Sequence, residues 1–280
     1  MQLSARVAGL IISISIGTSM LVWSIVFVHQ AHLILTVIPN GAFGTIVVQT
    51  PYGGTILIGG GVDSEVVRAV SRVLPWYQHS VDAIFFPQLD GAHSGGAIDL
   101  VERYTSNWVF VPQNAVAGSE WVSLQGVLQS LPTSTRIKKL TRGQTLETGR
   151  LQIEILFPDR LMSHADSKTT CSPMRLLYGT TSMLIMCDSS PTVIPYLTFI
   201  DGHTLQSDII IIPESVFKSD TVRTLLGFTA PTTVVVTHSC KTSIATSTAY
   251  IVKKFNANIT DPCAGAVTIE SDGMNMQFSR

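Results

Sequence analysis

The chain has 280 residues, 45% of them hydrophobic, enough to build one large domain or two small ones. Only 13% are charged and the formal net charge is −1, which excludes a polyanion-binding surface built on bulk charge. The mean hydropathy of +0.34 is high for a globular domain, and the N-terminus explains part of it.

Residues 7–28 carry no charge, and this apolar run of about 22 residues is long enough to span a bilayer core of about 30 Å. It exceeds the apolar region of about 7–15 residues usual in a cleaved signal peptide. His29-Gln30-Ala31, just beyond it, supplies no small-x-small cleavage site. Residues 1–30 therefore read as an uncleaved single-pass anchor, and residues 31–280 as one domain. Arg6 precedes the run and no further Lys or Arg follows until Arg68, so the positive-inside rule places the domain outside the cytoplasm. Cys171, Cys187, Cys240 and Cys263 are an even number in an outward-facing chain, which permits disulfides. They lack any C-x-x-C spacing, and buried free thiols serving as small hydrophobes are the competing reading.

Residues 33–37, 45–49 and 55–58 read as strands, separated by turns at Pro39-Asn40-Gly41 and Tyr52-Gly53-Gly54. Gly59-Gly60-Gly61 lacks the G-x-G-x-x-G spacing of a dinucleotide fold, and Asp63 or Ser64 caps a helix carrying Val66, Val67, Val70 and Leu74. The strand at 81–86 ends at Pro87, followed by Gln88, Asp90 and His93, and Gly95-Gly96 leads into a helix at 97–104. A strand at 108–111, a helix at 120–131 and two or three strands within 137–157 complete a first half that leans antiparallel. In the second half, 174–177 and 182–186 form a hairpin across Tyr178-Gly179 that ends in Cys187-Asp188. Strands at 208–212 and 233–237 alternate with helices at 191–199, 221–226 and 244–255. Asp272-Gly273 closes a last hairpin. Two β-rich halves with helices outside predict an α/β, αββα sandwich preceded by one N-terminal transmembrane helix.

This order of elements resembles the metallo-β-lactamase fold, and in particular the C-terminal domain of ComEC-type competence proteins. The resemblance rests on Thr50-Pro51-Tyr52-Gly53-Gly54, Val73-Leu74-Pro75-Trp76, the loop at 82–96, Leu140-Thr141-Arg142-Gly143 and the closing Gly265-Ala266-Val267-Thr268-Ile269. It implies a metal loop of the form H-x-H/D-x-D-H-x-G-G, with ligands falling on Gln88, Asp90, Ala92 and His93. Ala92 has no donor atom, and the amide of Gln88 is a poor substitute for imidazole. The family's bridging acid falls on Asp188, while histidines expected near Glu214 and near 241–245 are missing.

The metal ligands implied are thus Asp90, His93 and Asp188, with Glu214 or Cys187 as additions, a degenerate set suited at most to weak binding of Zn or Mn. Without a metal, Asp90 is a turn residue, His93 caps the following helix and Asp188 is a helix N-cap. The apolar run and the missing ligands point to a membrane-bound, non-catalytic domain, and the resemblance implies a binding or accessory role in DNA uptake, its partners being the membrane, DNA or other proteins of an uptake system. The alternative is a metal-dependent phosphodiesterase or nuclease acting on extracellular DNA. Arg136, Lys138, Lys139 and Arg142 are the one basic cluster, read as a solvated strand face or a phosphate contact.

Overall fold

A computed structural model describes residues 12–20, 32–113, 119–159, 171–188 and 193–279. Two mixed sheets face each other, with helices on both outer surfaces. The first sheet comprises β1 (Leu33–Ile38), β2 (Thr45–Gln49), β3 (Thr55–Ile58), β4 (Ser80–Phe85), β5 (Thr105–Pro112), β6 (Arg136–Leu140), β14 (Val267–Ser271) and β15 (Met276–Ser279). Its spatial order is β15-β14-β1-β2-β3-β4-β5-β6. The second contains β7 (Thr145–Thr148), β8 (Leu151–Ile155), β9 (Met174–Tyr178), β10 (Thr181–Ile185), β11 (Ile209–Pro213), β12 (Thr233–Thr237) and β13 (Asn258–Thr260), ordered β13-β12-β11-β10-β9-β8-β7.

Alternation along the strands explains the layers, because successive side chains point to opposite faces. In β4, Ala83 and Phe85 enter the core between the sheets, whereas Ile84 faces the helices. In β11, Ile209 and Ile211 point between the sheets, and Ile210 and Ile212 meet the opposite helical layer. Strands covered on both faces must be apolar throughout, hence the unbroken Ile run. Helices α1 (Glu65–Ser71), α2 (Gly91–Ser94), α3 (Ala97–Arg103) and α4 (Ser119–Ser130) belong to the first sheet's half of the chain. Helices α5 (Val193–Ile200), α6 (Thr221–Thr229) and α7 (Thr246–Lys254) belong to the second's.

The antiparallel lean expected of the first half holds for β1 to β3 and for β7 with β8, but not for the strands between. Strands β3, β4, β5 and β6 pair in parallel. The helices intervening between these strands return the chain to the same edge each time, which a hairpin does not. Two edges result. The ends of β4, β10, β11 and β12 lie on one; the starts of β1, β4 and β5, with the β2–β3 and β14–β15 turns, lie on the other.

Most of the apolar run at 7–28 lies outside the described residues. Its described part, 12–20, is helical, with Ile12, Ile14, Ile16 and Met20 exposed. Among the described residues no helix is long and apolar enough to cross a membrane.

Candidate functional site at the strand-end edge

Beyond β4 the chain crosses toward the second sheet, where Pro87 O accepts the Ser172 amide at 2.8 Å. Asp90 then organises the loop. Its Oδ2 accepts from Gln88 Nε2 at 2.7 Å, and its Oδ1 accepts from His93 Nδ1 at 2.5 Å. Its carbonyl oxygen receives the Ser94 amide at 2.9 Å and the Ser94 hydroxyl at 2.8 Å, closing α2. Gln88 and His93 are both buried, and Gln88 Oε1 and His93 Nε2 lack a hydrogen-bond partner among the described residues. Gly95 and Gly96 serve close packing: a Cβ there would stand 2.1 Å from Val62 O and 2.2 Å from Asp63 O.

The second sheet contributes the facing strand ends. Asp188 Oδ1 accepts from the Ser215 hydroxyl at 2.8 Å. Glu214 Oε1 accepts the Ala245 amide at 2.6 Å, capping the start of α7. His238, at the end of β12, is buried with Nδ1 3.0 Å from Ser239 O and Nε2 3.0 Å from Asp261 Oδ1. Between these ends opens a cleft of about 430 Å³ lined by Glu214, Ser215, Thr237, His238, Thr242 and Ser247.

All four cysteines are bridged, Cys171 to Cys187 and Cys240 to Cys263. This replaces the reading of buried free thiols, and it removes Cys187 as a soft ligand. The Cys171–Cys187 bridge is fully buried in the core between the sheets. It ties Ser172 and Asp188, the residues next in the chain, to one another across the β9–β10 edge.

The basic cluster divides. Arg136, Lys138 and Lys139 are exposed along β6, an edge strand. Arg142 turns inward, donating to both Asp201 oxygens at 2.9 and 2.5 Å and to Leu156 O at 2.7 Å. The hydrogen bond to Asp201 raises the Arg142 pKa above its ordinary value.

No protein-family profile matches this sequence, and no curated protein matches it. Solved structures do match. YhfI from Bacillus subtilis, a metallo-β-lactamase-fold protein, superimposes with a TM-score of 0.58 at 14% identity, covering 86% of this chain and 99% of that one. The fold is the metallo-β-lactamase fold. Zn²⁺-bound PqqB from Methylobacterium extorquens matches with a TM-score of 0.54 at 10% identity over 85% of this chain and 99% of its own. CmlA from Streptomyces venezuelae, a diiron β-hydroxylase, matches with a TM-score of 0.53 at 15% identity over 82% of this chain and 52% of its own.

PqqB is zinc-bound and CmlA is a diiron protein. A catalytic zinc takes about three protein ligands. The structure brings Asp90 and His93 together, but the ligand atoms of Asp90, His93 and Asp188 do not all lie within 4.8 Å of one another. Among the described residues, the group that does meet this distance is His238, Asp261 and Cys263, which the sequence spacing does not reveal. Their chemistry is wrong for a metal as they stand. Both His238 nitrogens face oxygen acceptors, and the Cys263 sulfur is in a disulfide, so a soft metal would need that bridge reduced first. Asp90 and His93 alone fall short of three ligands, and the His238 group has its sulfur in a disulfide.

Proposed function

We propose that this chain is a membrane-anchored, extracytoplasmic domain of the metallo-β-lactamase fold whose strand-end edge binds rather than hydrolyses. One observation carries the reading: the carboxylates of this edge and Cys187 are engaged by protein partners, which leaves His93 Nε2 as the exception. Asp90 holds Gln88 and His93, Asp188 holds Ser215, Glu214 caps α7, and Cys187 is bridged to Cys171. Each of these contacts takes up part of the acceptor capacity that a cation would need. Two disulfides support an oxidising compartment, and the bare isoleucines of the 12–20 helix suit lipid as a solvent.

The resemblance to ComEC-type domains makes DNA the ligand to test, with an accessory role in DNA uptake and other membrane proteins of an uptake system as partners. Exposed Arg136, Lys138 and Lys139 supply the phosphate contacts. The purified full chain is expected to hold less than stoichiometric metal, to leave single-strand and duplex DNA intact in Mn²⁺ and Zn²⁺, and to bind DNA in a salt-dependent way. Stoichiometric metal with cleavage abolished by His93→Ala overturns this reading. Protease added to intact cells is expected to digest the domain; protection would reverse its orientation.

A metal-dependent phosphodiesterase is the second reading, favoured by His93 alone. Its Nδ1 is held by a carboxylate while its Nε2 is buried and unpartnered, the arrangement by which outer carboxylates orient ligand histidines. The same assay separates the two.

A further inference from the structure

The edge opposite the candidate site carries an unexplained concentration of exposed apolar side chains. Among the described residues of the domain, five large apolar side chains are more than 65% exposed: Tyr52 (83%), Trp76 (84%), Tyr77 (66%), Met274 (73%) and Phe199 (86%). Phe199 stands on the outer helical layer. The other four share one edge. Tyr52 sits on the β2–β3 turn, its ring leaning over Gly149 of the β7–β8 turn. Trp76 and Tyr77 precede β4, their rings edge to face with centroids 5.7 Å apart. Met274 tips the β14–β15 turn. A polar cavity of about 820 Å³ opens on the same edge, with Thr50, Gln78, His79 and Asp82 among its walls.

His32 also lines that cavity. This ties the edge to the end of the apolar run. His32 lies four residues after Val28, the last residue of the apolar run, and four residues span at most about 14 Å. Wherever that run enters a bilayer, this edge stands at the bilayer surface. Trp and Tyr favour that depth, since their rings are apolar with one polar group that stays hydrated. Four protruding side chains around a polar cavity suit the headgroup region and do not suit the hydrocarbon core.

We infer that Tyr52, Trp76, Tyr77 and Met274 form a membrane-interface face that seats the domain on the headgroup layer of its own anchor's bilayer. The inference rests on the anchor reading given above. It sets the domain's orientation: β1 runs away from the membrane for six residues, roughly 20 Å at about 3.3 Å per residue. The strand-end cleft therefore opens away from the lipid, toward ligands arriving from outside.

The test uses the full chain carrying Trp23→Phe, reconstituted in phosphatidylcholine vesicles whose acyl chains are brominated either near the headgroup or deep in the core. The Trp76 signal is the difference from the same protein with Trp76→Phe added. Shallow bromines are expected to quench it roughly twofold more than deep ones, as befits an interfacial indole. Replacing Tyr52 and Tyr77 with Ser is expected to weaken that quenching without releasing the chain from carbonate-washed vesicles. A chain retained after carbonate with Trp76 unquenched by either lipid overturns the docking face and leaves the anchor standing. Release by carbonate removes both readings. Shielding of Trp76 from aqueous iodide without bromine quenching assigns the face to a protein and overturns the inference.

Discussion

Asp90 Oδ1 and His93 Nδ1 meet at 2.5 Å across the single turn of α2, while the other Asp90 oxygen holds Gln88. One carboxylate thus supports two buried side chains. Asp90→Ala would leave both without their donors' partner, at a cost of about 1–3 kcal/mol for each stranded group. Urea unfolding is expected to show a loss of about 2–4 kcal/mol with metal content unchanged. A fall in bound metal on this substitution would instead assign Asp90 to a metal.

The Cys171–Cys187 bridge closes 16 residues of sequence separation. A loop of about 15 residues is worth about 3 kcal/mol in the chain-entropy account of disulfides. The double variant Cys171→Ala/Cys187→Ala is expected to lower Tm by roughly 6–12 °C, at about 2–4 °C per kcal/mol for a domain of this size. Circular dichroism melting measures it, and an unchanged Tm would show the bridge to be absent.

Arg142 and Asp201 form a well-shielded charge pair remote from the site, with side-chain exposures of 23% and 12%. Arg142→Ala strands a carboxylate in a mostly buried setting and is expected to cost about 3 kcal/mol in chemical unfolding. Arg142→Lys is expected to recover only part of this, because an ammonium cannot match the two-oxygen fork. Loss of DNA binding with stability intact would return Arg142 to the basic face.

Lys138 and Lys139 are exposed beside one another on β6. Replacing both with Ala is expected to reduce the salt dependence of DNA binding by about two phosphate contacts' worth and to leave Tm unmoved. Fluorescence anisotropy against salt concentration reads the slope. An unaltered slope removes β6 from the interface.

Burial raises the pKa of Tyr104, and burial together with the Asp159 hydrogen bond raises that of Tyr196. Each phenol therefore ionises more readily in the unfolded chain than in the folded one. The stability this represents is fully present below the ordinary tyrosine value of about 10 and is lost as pH climbs through the higher folded values. The urea midpoint is expected to decline above about pH 10 and to decline less steeply in Tyr104→Phe. Equal slopes in the two proteins would discount Tyr104.

Much of the fold was legible because its signals are local. The isoleucine run of β11 can only be a strand covered on both faces, and Asp272-Gly273 specifies a turn through its own backbone preferences. The direction of β4 to β6 was not legible. Parallel pairing is a property of the crossovers, and no residue in those strands encodes it. The loop holding Asp90 and His93 was found from spacing, since three positions along one short turn bring the two side chains together.

The sequence by itself determined the apolar run, the strand-end polar loop, the even cysteine count and the shortage of family histidines. Only the tertiary structure decided the disulfide pairing, because Cys171 meets Cys187 and Cys240 meets Cys263 through sheet register and not through spacing. It likewise brought His238 to Asp261, turned Arg142 away from the basic face, and gathered Tyr52, Trp76, Tyr77 and Met274 on one edge. Periodicity and turn chemistry act over a few residues, whereas these meetings span from 16 residues to more than two hundred. Such contacts exist only once two sheets have packed and fixed which strand ends share an edge.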